Sequence, residues 1–317
     1  MRTRRKNPPV AWRCAKQFHL STTSLPVSIS RTGQSWANWG FGVSVAIASP
    51  SDPKSEGINE SLGPPKNVES VASLGLARDC AFELLLTFAL LFGVTSIVRW
   101  VIGPSPISGA IPQIHAQLVI VGVSVALLLA GLILSPPGRA SGGHTNPAIS
   151  FAMWRFGVFP GAGVVPYAIA QLLGSVLGVI AARGVWGRVV AEPPVAYAVL
   201  QPGPGWSTWK LFVVEALGMA VIVFVVGTCL AVRQLAPFVP WVVGALVGMG
   251  IAVLGTATGG SLNPARQFGP ATVSGQTQFL WVYLLAPILG AAIAAWLQRT
   301  IQGRGCVLTH KLCGTLD

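Results

Sequence analysis

From Arg78 onward the chain is a series of apolar runs broken by Gly/Pro loops, and six of these runs approach the length that crosses a hydrocarbon layer. They fall at about 80–102, 117–134, 164–185, 209–232, 241–254 and 279–297. A spanning helix takes about 20 predominantly apolar residues. Only 9% of the 317 residues are charged and 52% are hydrophobic, whereas a soluble domain carries about 25% charged residues. Mean hydropathy is +0.64. The expected class is therefore an all-α membrane protein with six transmembrane helices.

Two further apolar segments, 141–156 and 259–273, do not fit as spans. Each opens with Gly and Ser, passes through Asn-Pro-Ala and continues as a short apolar stretch. Asn is a good N-cap and Pro is favoured at the first helical position. Each segment thus reads as a helix starting at Pro147 or Pro264. A helix of about nine residues is about 14 Å long, roughly half the hydrocarbon thickness. Two such half-helices can meet near the midplane. Backbone that is not helical is tolerated at that depth only where protein buries it or water lines it.

The chain also repeats. Glu83, Phe92 and Asn146-Pro147-Ala148 in the first half match Glu215, Phe224 and Asn263-Pro264-Ala265 in the second, with nine residues from Glu to Phe in both. The repeats cover about 78–185 and 209–300 of a channel-like domain at 78–300. Three spans plus a re-entrant half-helix per unit give an odd number of crossings. The two copies therefore lie in opposite orientations, an inverted repeat of the kind found in transport proteins.

The net charge of +12 is concentrated in loops and in residues 1–70. The bias of Lys and Arg towards the cytoplasmic side explains this without a nucleic-acid partner. Placing Arg78, Arg139, Arg155, Arg233, Arg299, Arg304 and Lys311 inside puts both termini in the cytoplasm, with 301–317 as a tail. The expected location is the plasma membrane. Residues 1–70 are rich in Ser, Pro, Gly and Arg and have no acidic residue before Asp52. They read as a disordered basic tail or a mis-assigned start, ahead of a targeting segment. Cys14, Cys80, Cys229, Cys306 and Cys313 show no metal or disulfide spacing, and no cofactor is called for.

After Asn67 the only asparagines are Asn146 and Asn263. Polar side chains at membrane depth are usually functional. Each amide offers a donor to whatever occupies a pore, and two donors from opposed half-helices can hold one solute oxygen. Arg266 reads as a pore-lining cation, with a snorkelling loop arginine as the alternative. Glu83 and Glu215 read as acceptors for loop N–H groups, with a proton relay as the alternative. His144 reads as a brace for the first loop, with a pH sensor as the alternative.

Ser141-Gly142-Gly143-His144-Thr145-Asn146-Pro147-Ala148 and Gly259-Gly260-Ser261-Leu262-Asn263-Pro264-Ala265-Arg266 closely resemble the two signature loops of the aquaporin (major intrinsic protein) family. The resemblance covers about Arg78 to Leu297. It implies six spans plus two half-helices, a homotetramer with one pore per subunit, and passive flow of water or small neutral solutes through the lipid bilayer. It also implies an outer constriction of four residues. Counting back from the motifs without gaps puts these at Ala126, Ile251, Gly260 and Arg266. Water-selective members carry Phe and His at the first two. Glycerol facilitators carry Asp after the Arg, where this chain has Gln267. Ala-Ile-Gly-Arg instead resembles the filter of nodulin-26-like channels for boric acid and related metalloid acids. The expectation is a broad neutral-solute channel for water, glycerol, urea, boric or arsenous acid. The alternatives are a secondary transporter and a strict water channel. Enzymatic function lacks a nucleophile–base pair or a metal cluster.

Overall fold

The computed structural model of the protein describes residues 66–303 and 305–316. The tail, start-site and targeting readings of the N-terminal segment fall almost wholly outside the described residues, as does Arg304. Residues 66–70, read as part of that segment, lie in the first helix, which opens at Lys66. Val71–Asp317 form one compact unit.

Among the described residues ten α-helices follow one another: α1 Lys66–Val101, α2 Pro106–Ala110, α3 Ile114–Leu134, α4 Pro136–Ser141, α5 Pro147–Phe156, α6 Gly161–Trp186, α7 Thr208–Ala231, α8 Val239–Leu254, α9 Pro264–Ser274 and α10 Leu280–Ile301. Among the described residues there is no strand. Six stretches of the described residues are long and apolar enough to cross a membrane: Leu74–Val101, Ile114–Leu134, Gly161–Val190, Thr208–Ala231, Ala236–Leu254 and Leu280–Ile301. They carry large apolar side chains on the outside, such as Leu127, Val165, Val253 and Leu285. Water would not tolerate so much exposed apolar surface on a monomer, whereas lipid does.

Alternate spans run in opposite directions. We term the face where α1 starts and α10 ends the inner face. Exposed Trp100, Trp209 and Trp281 then sit at helix ends on the outer face, and Trp154, Trp241 and Trp296 at helix ends on the inner face. Indole rings favour both membrane–water boundaries. Close approach between helices depends on glycine. Gly174 of α6 lies against the Leu84 carbonyl of α1, and Gly290 of α10 lies against the Ala216 carbonyl of α7. Gly122 of α3 and Gly248 of α8 face each other's carbonyls at the centre of the α3–α8 crossing. A Cβ at any of these would overlap backbone, so the small residue sets the interhelical distance.

The two half-helices, α5 and α9, have 10 and 11 residues. The Asn146 side chain accepts from Ala148 N and the Asn263 side chain accepts from Ala265 N and Arg266 N, so each Asn caps its helix, with Pro at the first helical position. Each half-helix stops at a glycine in the left-handed region, Gly157 or Gly275. α5 packs against α6 and α10, and α9 against α6 and α10 as well. The segment after α10, read as a tail, is not loose: Val307, Leu312 and Cys313 are buried in the main core.

Candidate functional site: a lumen between two half-helices

The loops that lead into the two half-helices have the same backbone. Gly142, Gly143 and Thr145 have φ of 103°, 66° and 48°, and Gly259, Gly260 and Leu262 have 86°, 62° and 50°. Positive φ is easy for glycine and costly for Thr and Leu. The reason for the cost is visible in the hydrogen bonds. The turn at Thr145 aims its carbonyl at the opposite half-helix, where it accepts from Asn263 Nδ2 at 3.0 Å. The Leu262 carbonyl accepts from Asn146 Nδ2 at 3.0 Å in return. Asn146 Oδ1 accepts from Ala148 N and Asn263 Oδ1 from Ala265 N, both at 2.9 Å. An amide NH2 has two hydrogens. Each Asn therefore keeps one N–H for the lumen that both line.

Glu83 and Glu215 stand behind these loops and are fully buried. Glu83 accepts from Ser141 Oγ at 2.8 Å, His144 N at 2.9 Å, Thr145 N at 2.7 Å and Gln171 Nε2 at 2.8 Å. Glu215 accepts from Ser261 N at 3.2 Å and Leu262 N at 2.8 Å. Loop N–H groups at this depth have no water to turn to, and the carboxylates supply the missing acceptors. A matched tyrosine adds to each loop. Tyr167 Oη donates to Ser141 O at 2.8 Å and Tyr283 Oη to Thr258 O at 2.7 Å.

His144 lies in the lumen wall with both ring nitrogens engaged. Nε2 meets the His310 carbonyl at 3.0 Å and Nδ1 meets Ser150 Oγ at 3.0 Å. A carbonyl can only accept, so Nε2 carries the hydrogen and Nδ1 accepts from the serine.

The lumen is a narrow cavity of about 40 Å³. Its polar lining comes from His144, Thr145, Asn146, Ser261, Asn263 and Arg266. Its apolar lining includes Leu90 and Val94 of α1, Val125, Leu129 and Ile133 of α3, and Val243, Val247 and Ile251 of α8. On the outer side lies a wider cavity of about 310 Å³, bounded among others by Val98, Leu118, Val121, Val195 and Ala198. Val94, Ile251 and Arg266 border both and mark the passage between them. Arg266 Nη1 donates to the Ala198 carbonyl at 2.7 Å, which fixes the guanidinium at that passage. Ala198 belongs to the α6–α7 connection, where Ala196, Tyr197 and Ala198 all have positive φ. Gln267 points away from the lumen. Its Oε1 accepts from Leu200 N at 3.0 Å and its Nε2 donates to Leu200 O at 2.9 Å.

Of the residues singled out in the sequence, Asn146, Asn263, His144, Ile251, Gly260 and Arg266 line the lumen. Pro147, Ala148, Pro264 and Ala265 are buried in the first turns of the half-helices. Ala126 is a correction. It borders an apolar groove on the outside of the α3–α8 pair, with Val119, Val123, Leu127 and Met249. Residues three and four apart share a helix face, and the face of α3 that meets the two cavities carries Leu118, Val121, Val125, Leu129 and Ile133. Ala126 is one residue, about 100°, off that stripe. Neither the stripe, whose helix is as apolar at exposed Val119, Val123 and Leu127, nor the backbone acceptors Thr145, Leu262 and Ala198 carry a signal in residue type.

Six membrane-length helices enclosing a lumen, with two opposed half-helices of an inverted repeat at its centre, define a transmembrane channel. The family model described as "Major intrinsic protein" matches residues 70–298, and the chain belongs to that family. It is 32% identical to "Probable aquaporin NIP7-1" of Arabidopsis thaliana over 69% of this chain and 75% of that protein. It is 39% identical to "Probable aquaporin AqpM" of Archaeoglobus fulgidus over 56% of this chain and 74% of that one. Among solved structures, the aquaglyceroporin from Plasmodium falciparum superposes with a TM-score of 0.55 at 20% identity, covering 71% of this chain and 96% of that chain. Members of the family are channels rather than enzymes, and this chain is a passive channel for water and small solutes.

Proposed function

We propose that the lumen passes water together with small uncharged solutes such as glycerol, urea, boric acid or arsenous acid, and rejects protons and ions. The observation that carries this reading is the passage between the two cavities. Val94, Ile251 and Arg266 border it, Gly260 adds no side chain beside it, and among the described lining residues there is no phenyl or indole ring. With Val121 and Val125 rather than Ala126 on the α3 wall, the passage is tighter than the sequence suggested but still lacks an aromatic wedge. Similarity to nodulin-26-like relatives supports the wider solute range.

The Asn146 and Asn263 amides hold a solute oxygen, and Arg266 offers donors at the passage. Each half-helix N-terminus contributes roughly half a positive charge. Rejection of protons and cations by such dipoles and an arginine is the established explanation for pores of this class. Anions are stopped by the loss of hydration in a largely apolar tube. The distribution of Lys and Arg supports cytoplasmic termini in a plasma membrane, and family membership supports a homotetramer.

Stopped-flow light scattering on proteoliposomes tests the reading. Water, glycerol and boric acid should enter several-fold faster than into empty vesicles, without saturation and regardless of ionophores, while proton leak stays at the empty-vesicle level. Val125→Phe should suppress the larger solutes before water. Swelling with water but no solute entry would leave a strict water channel. Saturable uptake driven by an ion gradient would mean a transporter. Native mass spectrometry should show four copies.

A further inference from the structure

We propose that residues 305–316 form a latch across the inner mouth of the pore, and that undocking the latch raises flux through the channel. The proposal rests on the channel reading above and adds a means of regulation to it.

After α10 the chain turns back over the inner face and ties together three pieces of the channel body. Leu308 N donates to the Leu230 carbonyl at the end of α7 at 3.2 Å, and Leu312 N donates to the Gly142 carbonyl of the first loop at 3.0 Å. The His310 carbonyl accepts from His144 Nε2 at 3.0 Å. Gly314 then lies directly on the Ala236 carbonyl, in the connection between α7 and α8, where a Cβ would have no room. The first loop belongs to one repeat and the α7–α8 connection to the other. The segment therefore bridges the two halves of the molecule.

One of these anchor points, His144, belongs to the lumen wall itself. On this side the lumen wall is formed by Ile133 near the end of α3, His144 of the first loop and Val243 near the start of α8. His144 is thus both a wall residue and an attachment point. The His310 ring stands perpendicular to the His144 ring at 5.7 Å and packs on Phe159 at 5.4 Å. Val307, Leu312 and Cys313 are 7%, 1% and 5% exposed.

The attachment is also separable. The bonds of Leu308 N, Leu312 N and His144 Nε2 and the buried Val307, Leu312 and Cys313 are among the contacts that hold the segment, and none of the six spans depends on it for its own helix. Undocking removes the acceptor of His144 Nε2–H, leaves the ring in the wall held through Ser150 Oγ alone among its hydrogen bonds, and uncovers Gly142 beside it.

The test compares water flux in proteoliposomes at equal protein density for the full chain, a chain ending at Gln302 and full-length Leu312→Glu, which puts a charge at the best-buried latch position. Both variants should conduct water several-fold faster than the full chain, with unchanged helical circular dichroism and unchanged oligomer size. Folded variants that conduct no faster than the full chain overturn the latch. A third arm needs no refolded variant. Trypsin acting on the reconstituted full chain cuts after Arg304 and Lys311, with the released peptides followed by mass. Flux that rises as the segment is released supports the latch, and flux that stays constant overturns it. If no arm, the full chain included, conducts water faster than empty vesicles, the channel reading itself is what fails.

Discussion

The two loops that enter the membrane share one backbone and the same kinds of support, and differ in a few of the side chains attached to it. Their glycines and their strained Thr145 and Leu262 repeat to within about 20° in φ. Their asparagines make the same cap and the same cross-bond. Yet the position three residues after the asparagine is Ile149 in one and Arg266 in the other, and both line the lumen. Each carboxylate accepts from two loop N–H groups, but Glu83 adds the Ser141 and Gln171 side chains whereas Glu215 adds that of Thr258 alone. The first is covered by the C-terminal segment and the second by the α6–α7 connection. Orienting a solute at the centre needs the symmetric part. Discriminating among solutes needs a charge at one end only, and the asymmetric side chains supply it.

The largest effect should come from removing the carboxylates. Each buried donor left without a partner costs about 1–3 kcal/mol. Glu83→Ala orphans four donors and should abolish folding or lower the melting temperature drastically in detergent. Glu215→Ala orphans three and should melt somewhat above Glu83→Ala. Equal losses would break the contrast between the two loops. The next effect concerns Arg266 and Ile149. Arg266→Ala should raise glycerol permeability about tenfold, about 1.4 kcal/mol of barrier, and introduce a proton leak measurable with an entrapped pH dye. Ile149→Ala should leave proton exclusion intact. If Ile149→Ala leaks protons as Arg266→Ala does, the charge is not the discriminating element. The smallest effect should be shared. Tyr167→Phe and Tyr283→Phe each remove one buried donor to a loop carbonyl, costing about 1 kcal/mol, and their thermal shifts should match. A large difference would show that the symmetry of the support ends sooner than the backbone suggests.

The features that rest on local chemistry were legible in the sequence. Hydropathy located six spans, although α1 starts earlier than the apolar run did. Asn-Pro placed both half-helix starts at Pro147 and Pro264. Ala126 was misplaced because the count ran back from Asn146 through α4, a short helix capped by Ser135 between α3 and the first loop. A residue count through such a connection does not preserve angular phase. The burial stripe on α3 does preserve it, and it selects Val125. The count to Ile251 crossed only the tight turn at 255–260 and reached the lumen. The role of Ala198 and the docking of 305–316 had no legible signal. The first uses a backbone carbonyl, which every residue has, and the second uses a mixture of small and apolar residues that reads equally well as a loose end.

The crossed amide bonds set an order of events during synthesis. Asn146 finds its acceptor on Leu262, a residue translated more than a hundred positions later. Until that acceptor emerges, the first re-entrant segment must wait in the translocon or the bilayer with part of its polar edge unmet. A ribosome stalled after the first repeat would therefore present an open, hydrogen-bond-hungry half. Membrane quality control could recognise such an intermediate, whereas the completed chain closes both halves in a single step.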